Sequence, residues 1–224
     1  MNELGNVGNR TIGRRELLAG AGATALLMLL PNVAWAAASS LDVARRLLRQ
    51  ASDRAFAKLS APNGFWDSPV ARFDLPELFT KGGGVPAASR EQLQRRLNVA
   101  AEVGARRAGQ VARGTTGLIK REDAAAVVGG QPTAGTSLLR ARVGPRLINV
   151  MIPVIERTLR DERDPVVMAA VRKLSGVELT DVAKAIALKA DSAIWYQIGS
   201  EEGDIRTNPQ TTRDRVLIAA FART

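Results

Sequence analysis

The chain is predicted to fold as an all-α domain, a multi-helix bundle or orthogonal helical arrangement over residues 39–224 with one extended, aromatic-rich strap. Three observations predict it. Apolar and small residues recur at helical spacing through most of the chain. No stretch alternates apolar and polar residues over the length of a strand. Gly, Pro, Asn and Ser breaks separate the periodic stretches.

The first helix of this domain is expected from Ser40, an N-cap residue type, to about Ser60. Leu41, Ala44, Leu48, Ala51, Ala55 and Leu59 mark its apolar face. Ala61-Pro62-Asn63-Gly64 closes it, and residues 65–79 read as an extended strap interrupted by Pro69 and Pro76. The strap holds Phe65, Trp66, Phe73 and Phe79. Gly82-Gly83-Gly84 reads as a hinge, since no Lys-Ser/Thr follows at phosphate-loop spacing.

A second long helix is expected from a capping box at Ser89-Arg90-Glu91-Gln92. Leu93, Leu97, Ala100, Gly104, Ala108 and Val111 make one stripe, and its small residues let a neighbouring helix come close. Arg95, Glu102, Arg106 and Arg113 fall on the opposite face. A short helix is expected over Glu122–Val128. Residues 133–163 read as helical with interruptions at Gly144-Pro145 and Pro153. Asp164-Pro165 is an N-cap with Pro at the first helical position, opening a helix that ends near Gly176. A long helix runs from about Thr180 to Arg206, broken by Asn208-Pro209, and a last helix carries Val216, Leu217, Ala220 and Phe221.

Residues 1–38 read as an export signal. Arg14-Arg15 precede Leu17-Leu18 and an uncharged run of 22 residues, Leu17 to Ala38. Ala34-Trp35-Ala36 offers small residues for cleavage after Ala36. The adjacent arginines and weak hydrophobicity resemble a twin-arginine signal, so the expected location is the periplasm. Cleavage would leave no transmembrane segment.

Composition removes whole classes of chemistry. The 224 residues include no His and no Cys. Cys/His zinc sites, thiol nucleophiles, Ser-His-Asp triads and disulfide frameworks are therefore excluded. The formal net charge is +10, carried mostly by arginine. Residues 89–121 hold eight basic residues against Glu91 and Glu102, whereas residues 176–210 are net acidic. A basic chain attracts acidic partners. The basic stretch has no aromatic to stack on bases, so nucleic acid is not expected.

Three groups of residues, in order and spacing, resemble an exported bacterial family catalogued as domain of unknown function 4197. The first is Asn63-Gly64-Phe65 with Val70 through Leu78. The second is Leu97 through Glu102, followed by Asp123-Ala124 and Gly130 through Arg140. The third is Leu179-Thr180-Asp181, Lys189-Ala190-Asp191, Glu201 through Pro209, Thr212 and Phe221. The family's Asp-Gly-Leu-Phe step reads Asp191-Ser192-Ala193-Ile194 here, and its Ala-Ala-Thr-Tyr step is blurred at Ala134–Leu138, so the chain resembles a divergent member. The resemblance implies a helical exported domain and carries no catalytic residue, cofactor or ligand.

Polar residues within that resemblance are the site candidates. Glu102, Asp123, Asp191, Glu202 and Arg206 could do acid/base work if they converged. Phe65, Trp66, Phe73, Asn98 and Arg140 are the ligand-binding candidates, on the reading that the aromatic strap covers an apolar pocket. No cofactor is expected. No metal site is assigned, because Glu201, Glu202 and Asp204 lack the alternating ligand pattern of a calcium loop. The reading is a non-catalytic binding or interaction module of the cell envelope, taking an apolar or anionic ligand or a protein partner. The competing readings are an enzyme working through Asp/Glu and Arg, and a binder of membrane surfaces or polyanions.

Overall fold

Ser39, one residue before the expected cap, opens the first helix. Its hydroxyl accepts the Asp42 amide at 3.2 Å. The computed structural model describes residues 38–81 and 85–222. The arginine pair, the apolar run, the cleavage step after Ala36 and Gly82–Gly84 lie outside these residues.

Helix α1 spans Ser40–Leu59 and buries Val43, Ala44, Leu47, Leu48, Ala51, Ala55 and Leu59, spaced for one face. The strap follows as turns and a single helical turn, α2, at Glu77–Thr80. Phe65 and Phe73 pack edge to face inside it, with centroids 6.1 Å apart. Helix α3 spans Ala87–Ala112. It starts ahead of the expected capping box: Pro86 stands extended, and the Ser89 amide already bonds the Pro86 carbonyl at 2.9 Å. Ser89 is thus inside the first turn and caps nothing.

Two 3-10 turns, Thr115–Leu118 and Arg121–Asp123, lead into α4, Ala124–Gly129. Helix α5 is Ala134–Val143, and Gly144 at φ 56° ends it. Helix α6, Arg146–Glu162, runs through Pro153 without breaking. Pro153 and Asn149 face solvent, where water can bond the carbonyl that the proline ring leaves free. The buried stripe Leu147, Met151, Ile155 and Leu159 holds both halves of the helix against the core.

Asp164 caps α7, Pro165–Val171, accepting from the Val166 and Val167 amides at 2.9 and 3.1 Å. This helix stops short of Gly176. The Lys173 and Leu174 amides turn back to the Ala170 and Val171 carbonyls instead. Helix α8 spans Leu179–Thr207, and α9 spans Arg215–Phe221 under an Asp214 cap.

Helix α8 is the axis of the fold, touching α1, α3, α5 and α6. Fifteen of its residues are buried, from Val182 to Ile205. Helices α3 and α6 meet where Gly104 leaves room: a Cβ there would lie 2.8 Å from Ile155 Cδ1. Among the described residues there is no strand, and no helix is long and apolar enough to cross a membrane.

Candidate functional site

The acidic candidates occupy separate places, and each has its own partners. Glu202 is fully buried on α8. It accepts the Gly135 and Thr136 amides at 3.1 and 2.7 Å and the Thr136 hydroxyl at 2.6 Å. These amides begin α5, whose own N-cap, Thr133, supplies no side-chain bond. Gly135 makes room, since a Cβ there would sit 3.0 Å from Glu202 Oε1 and 2.9 Å from Leu48. Arg206 reaches Glu202 Oε1 at 2.6 Å and donates to the Val127 and Val128 carbonyls near the end of α4. The anion therefore meets a helix N-terminus and the cation a C-terminus, as the helix dipoles favour.

Asp191 accepts the Trp195 indole N–H at 3.0 Å and faces Arg140 at 3.5 Å. Burial pushes its carboxyl above the usual range, against the pull of Trp195 and Arg140. Asp123 pairs with Arg142 at 2.7 Å and accepts the Lys120 amide at 3.0 Å. Glu201 is buried, bonded to Lys58 and, at 3.0 Å, to Gln197. Gln197 in turn accepts the Ser68 hydroxyl at 3.2 Å.

Asn98 is buried on α3 and ties down the strap. Its Nδ2 donates to the Phe73 carbonyl at 3.0 Å, and its Oδ1 accepts the Phe73 amide at 3.2 Å. One turn later, Glu102 lies beneath the Asn63-Gly64 loop, whose backbone amides approach it. Its Oε1 is buried with no hydrogen-bond partner. Burial pushes this carboxyl up; Arg106 and the loop amides pull it down, while Asp67 adds to the rise. The sequence stripe Arg95, Glu102, Arg106, Arg113 is thus an outer face only in part, because the loop covers Glu102.

Beyond that loop, α1 and α3 border a groove of about 700 Å³. Phe56, Ala57 and Ala112 give it apolar surface, while Arg49, Arg106 and Arg113 stand against one acid, Asp53. Arg106 donates to the Ser60 carbonyl at 3.0 Å. The Arg49 and Arg113 side chains form no hydrogen bond or ion pair among the described residues. A smaller apolar pocket, about 260 Å³, lies between the first turns of α3 and α7 around Leu93 and Val166.

Of the ligand-binding candidates, Phe65 and Phe73 are core, Asn98 is spent on the Phe73 backbone, and Arg140 on Asp191. Trp66 is buried too, beneath Arg72. Sequence reasoning did not single out Arg49 and Arg113. They are 64 positions apart, and only the pairing of α1 with α3 brings them to one groove. Among the described residues no group of three or more acids is placed to hold a metal ion.

Segments that carried the family resemblance pair in space: 63–64 with Glu102, Phe73 with Asn98, 135–136 with Glu202. A family model described as protein of unknown function (DUF4197) matches residues 36–222. No curated protein and no solved structure matches the chain.

Proposed function

The chain belongs to the family described as protein of unknown function DUF4197, and from that premise we propose that it is a non-catalytic binding module whose α1–α3 groove takes an anionic ligand with an apolar body. The observation that carries this reading is the pair of unpartnered arginines, Arg49 and Arg113, beside the apolar surface of Phe56, Ala57 and Ala112. Charge-assisted hydrogen bonds would fix the head group, and the apolar surface would take the body. Four of the acids support the same reading: Glu202, Asp191, Asp123 and Glu201 are engaged in caps and ion pairs that organise the helices, whereas Glu102 keeps one unpartnered oxygen.

Calorimetric titration with dodecanoate, against dodecyltrimethylammonium as the cationic control, tests it. The anion is expected to bind and the cation not. Losing one charged hydrogen-bond partner costs roughly 1.5–3 kcal/mol. Arg49→Gln with Arg113→Gln should therefore weaken dodecanoate by about two orders of magnitude or more. Equal binding of the two probes, or an indifferent double variant, would remove the proposal.

Export belongs to the same proposal. Arg14-Arg15 and the Ala34-Trp35-Ala36 step support release into the periplasm, where the groove would meet envelope anions. Cell fractionation of the chain and of its Arg14→Lys, Arg15→Lys variant tests it. Unchanged distribution of the variant would count against the twin-arginine route.

A further inference from the structure

Trp66 carries two arginines on its ring. The Arg72 guanidinium carbon lies 3.6 Å from the ring centroid and that of Arg95 lies 5.6 Å from it. Arg72 comes from the strap and Arg95 from α3, so the indole gathers cations from two elements. We propose that this cluster is a second anion site, separate from the α1–α3 groove, and that it takes a phosphomonoester group.

Four features argue for it. First, stacking covers the face of a guanidinium and leaves its N–H edge free to donate. Neither Arg72 nor Arg95 spends those donors: their side chains form no hydrogen bond or ion pair among the described residues. Second, the two cations share one ring, within about one screening length of each other. No carboxylate pairs with either, and Asp67, next to Trp66 in sequence, forms no ion pair with them. An incoming anion would relieve that repulsion.

Third, a hollow of about 400 Å³ is lined by Arg95 together with Arg96, Asn63, Gln92 and Val99, and by no acid. Arg96 is held by Asp164 at 3.1 Å, and the Asn63 and Gln92 side-chain amides have no protein partner among the described residues. Fourth, the donors outnumber what a carboxylate can accept. The Arg95 fork and the two amides line the hollow, and Arg72, which shares the Trp66 ring but does not line the hollow, adds its charge; together they suit the three terminal oxygens and near-double charge of a phosphomonoester.

The indole N–H resonance of Trp66, identified by its loss in Trp66→Phe, reports on the site. Inorganic phosphate should shift it saturably, and chloride at matched ionic strength should not. Arg95→Gln and, separately, Arg72→Gln should weaken the response at least tenfold, while Arg49→Gln leaves it unchanged. Both arginines are exposed, and an unmoved Trp195 indole resonance with unchanged helicity certifies the fold of each variant. Vesicles containing phosphatidic acid, titrated in parallel, distinguish the source: tighter response than to inorganic phosphate assigns a lipid head group, and equal or weaker response a soluble phosphate. A shift that grows linearly without saturation, that chloride reproduces, or that survives both arginine variants would overturn the site.

Discussion

Glu202 caps a helix to which it does not belong: its carboxylate accepts the Thr136 amide at 2.7 Å and the Thr136 hydroxyl at 2.6 Å. With Arg206 on the α4 carbonyls, one i,i+4 pair on α8 fastens the elbow between α4 and α5. Breaking a buried pair by removing one partner costs about 3–5 kcal/mol. Glu202→Gln is expected near that range, since its NH2 would confront backbone donors and leave Arg206 without its anion. Urea unfolding measures it. A loss under about 0.5 kcal/mol would show that the pair does not organise this elbow.

Asn98 is expected to be irreplaceable by its isostere. Asn98→Asp would set a carboxylate against the Phe73 and Gln94 carbonyls to which the amide now donates. An unsatisfied buried polar group costs roughly 1–3 kcal/mol, more when charged. The strap should then open, and limited proteolysis should find new cuts between residues 65 and 80. Wild-type resistance to cutting there would contradict the role given to Asn98.

The α3–α6 contact gives a double-mutant test. Gly104→Ala places a methyl 2.8 Å from Ile155 Cδ1, an overpacking expected to cost about 1–3 kcal/mol. Ile155→Val removes that methyl. The two substitutions together should cost less than their sum, by about 0.5 kcal/mol or more. Additive losses would mean that the helices relax elsewhere.

Glu102 and Asp191 set a pH dependence. Burial raises both carboxyls in the folded chain above the ordinary carboxylate range. The native state then holds more protons than the unfolded one between the ordinary and the raised values, so stability falls as pH rises through that window. Their contribution is complete below the ordinary range and gone above the raised one. Glu102→Gln removes one such group, so its unfolding midpoint relative to wild type should climb from pH 4 to pH 7. A difference that stays constant with pH would contradict the burial effect.

Much of the helical order was legible in the sequence. Asp164-Pro165 starts α7 as N-cap chemistry requires, the small-residue stripe of α3 meets α6 at Gly104, and the long apolar period from 180 to 206 is the buried axis α8. Other local signals were outvoted. Ser89 had the right neighbours for a capping box, yet Pro86 started the helix earlier. Pro153 had the chemistry of a breaker, yet the buried residues on both sides kept α6 whole.

The candidate residues divide the same way. The Glu202–Arg206 spacing could be read directly, because i,i+4 fixes one face of a helix. What the pair holds could not, since the α4 and α5 termini are far away in the chain. Glu102 shares its stripe with Arg95, Arg106 and Arg113, and nothing in that stripe marks it as the covered member. A loop about 40 residues earlier does the covering.

Periodicity, caps and composition by themselves determined an all-α chain, the approximate ends of its helices, its positive charge, and the absence of imidazole and thiol chemistry. These follow from local backbone geometry and from which side chains exist at all. Only the tertiary structure decided that Glu202 would become a helix cap, that Glu102 would lose water, and that Arg49 and Arg113 would share a groove. Those outcomes depend on which helix faces meet across long separations in sequence, and burial against a distant segment changes what a charged side chain can do.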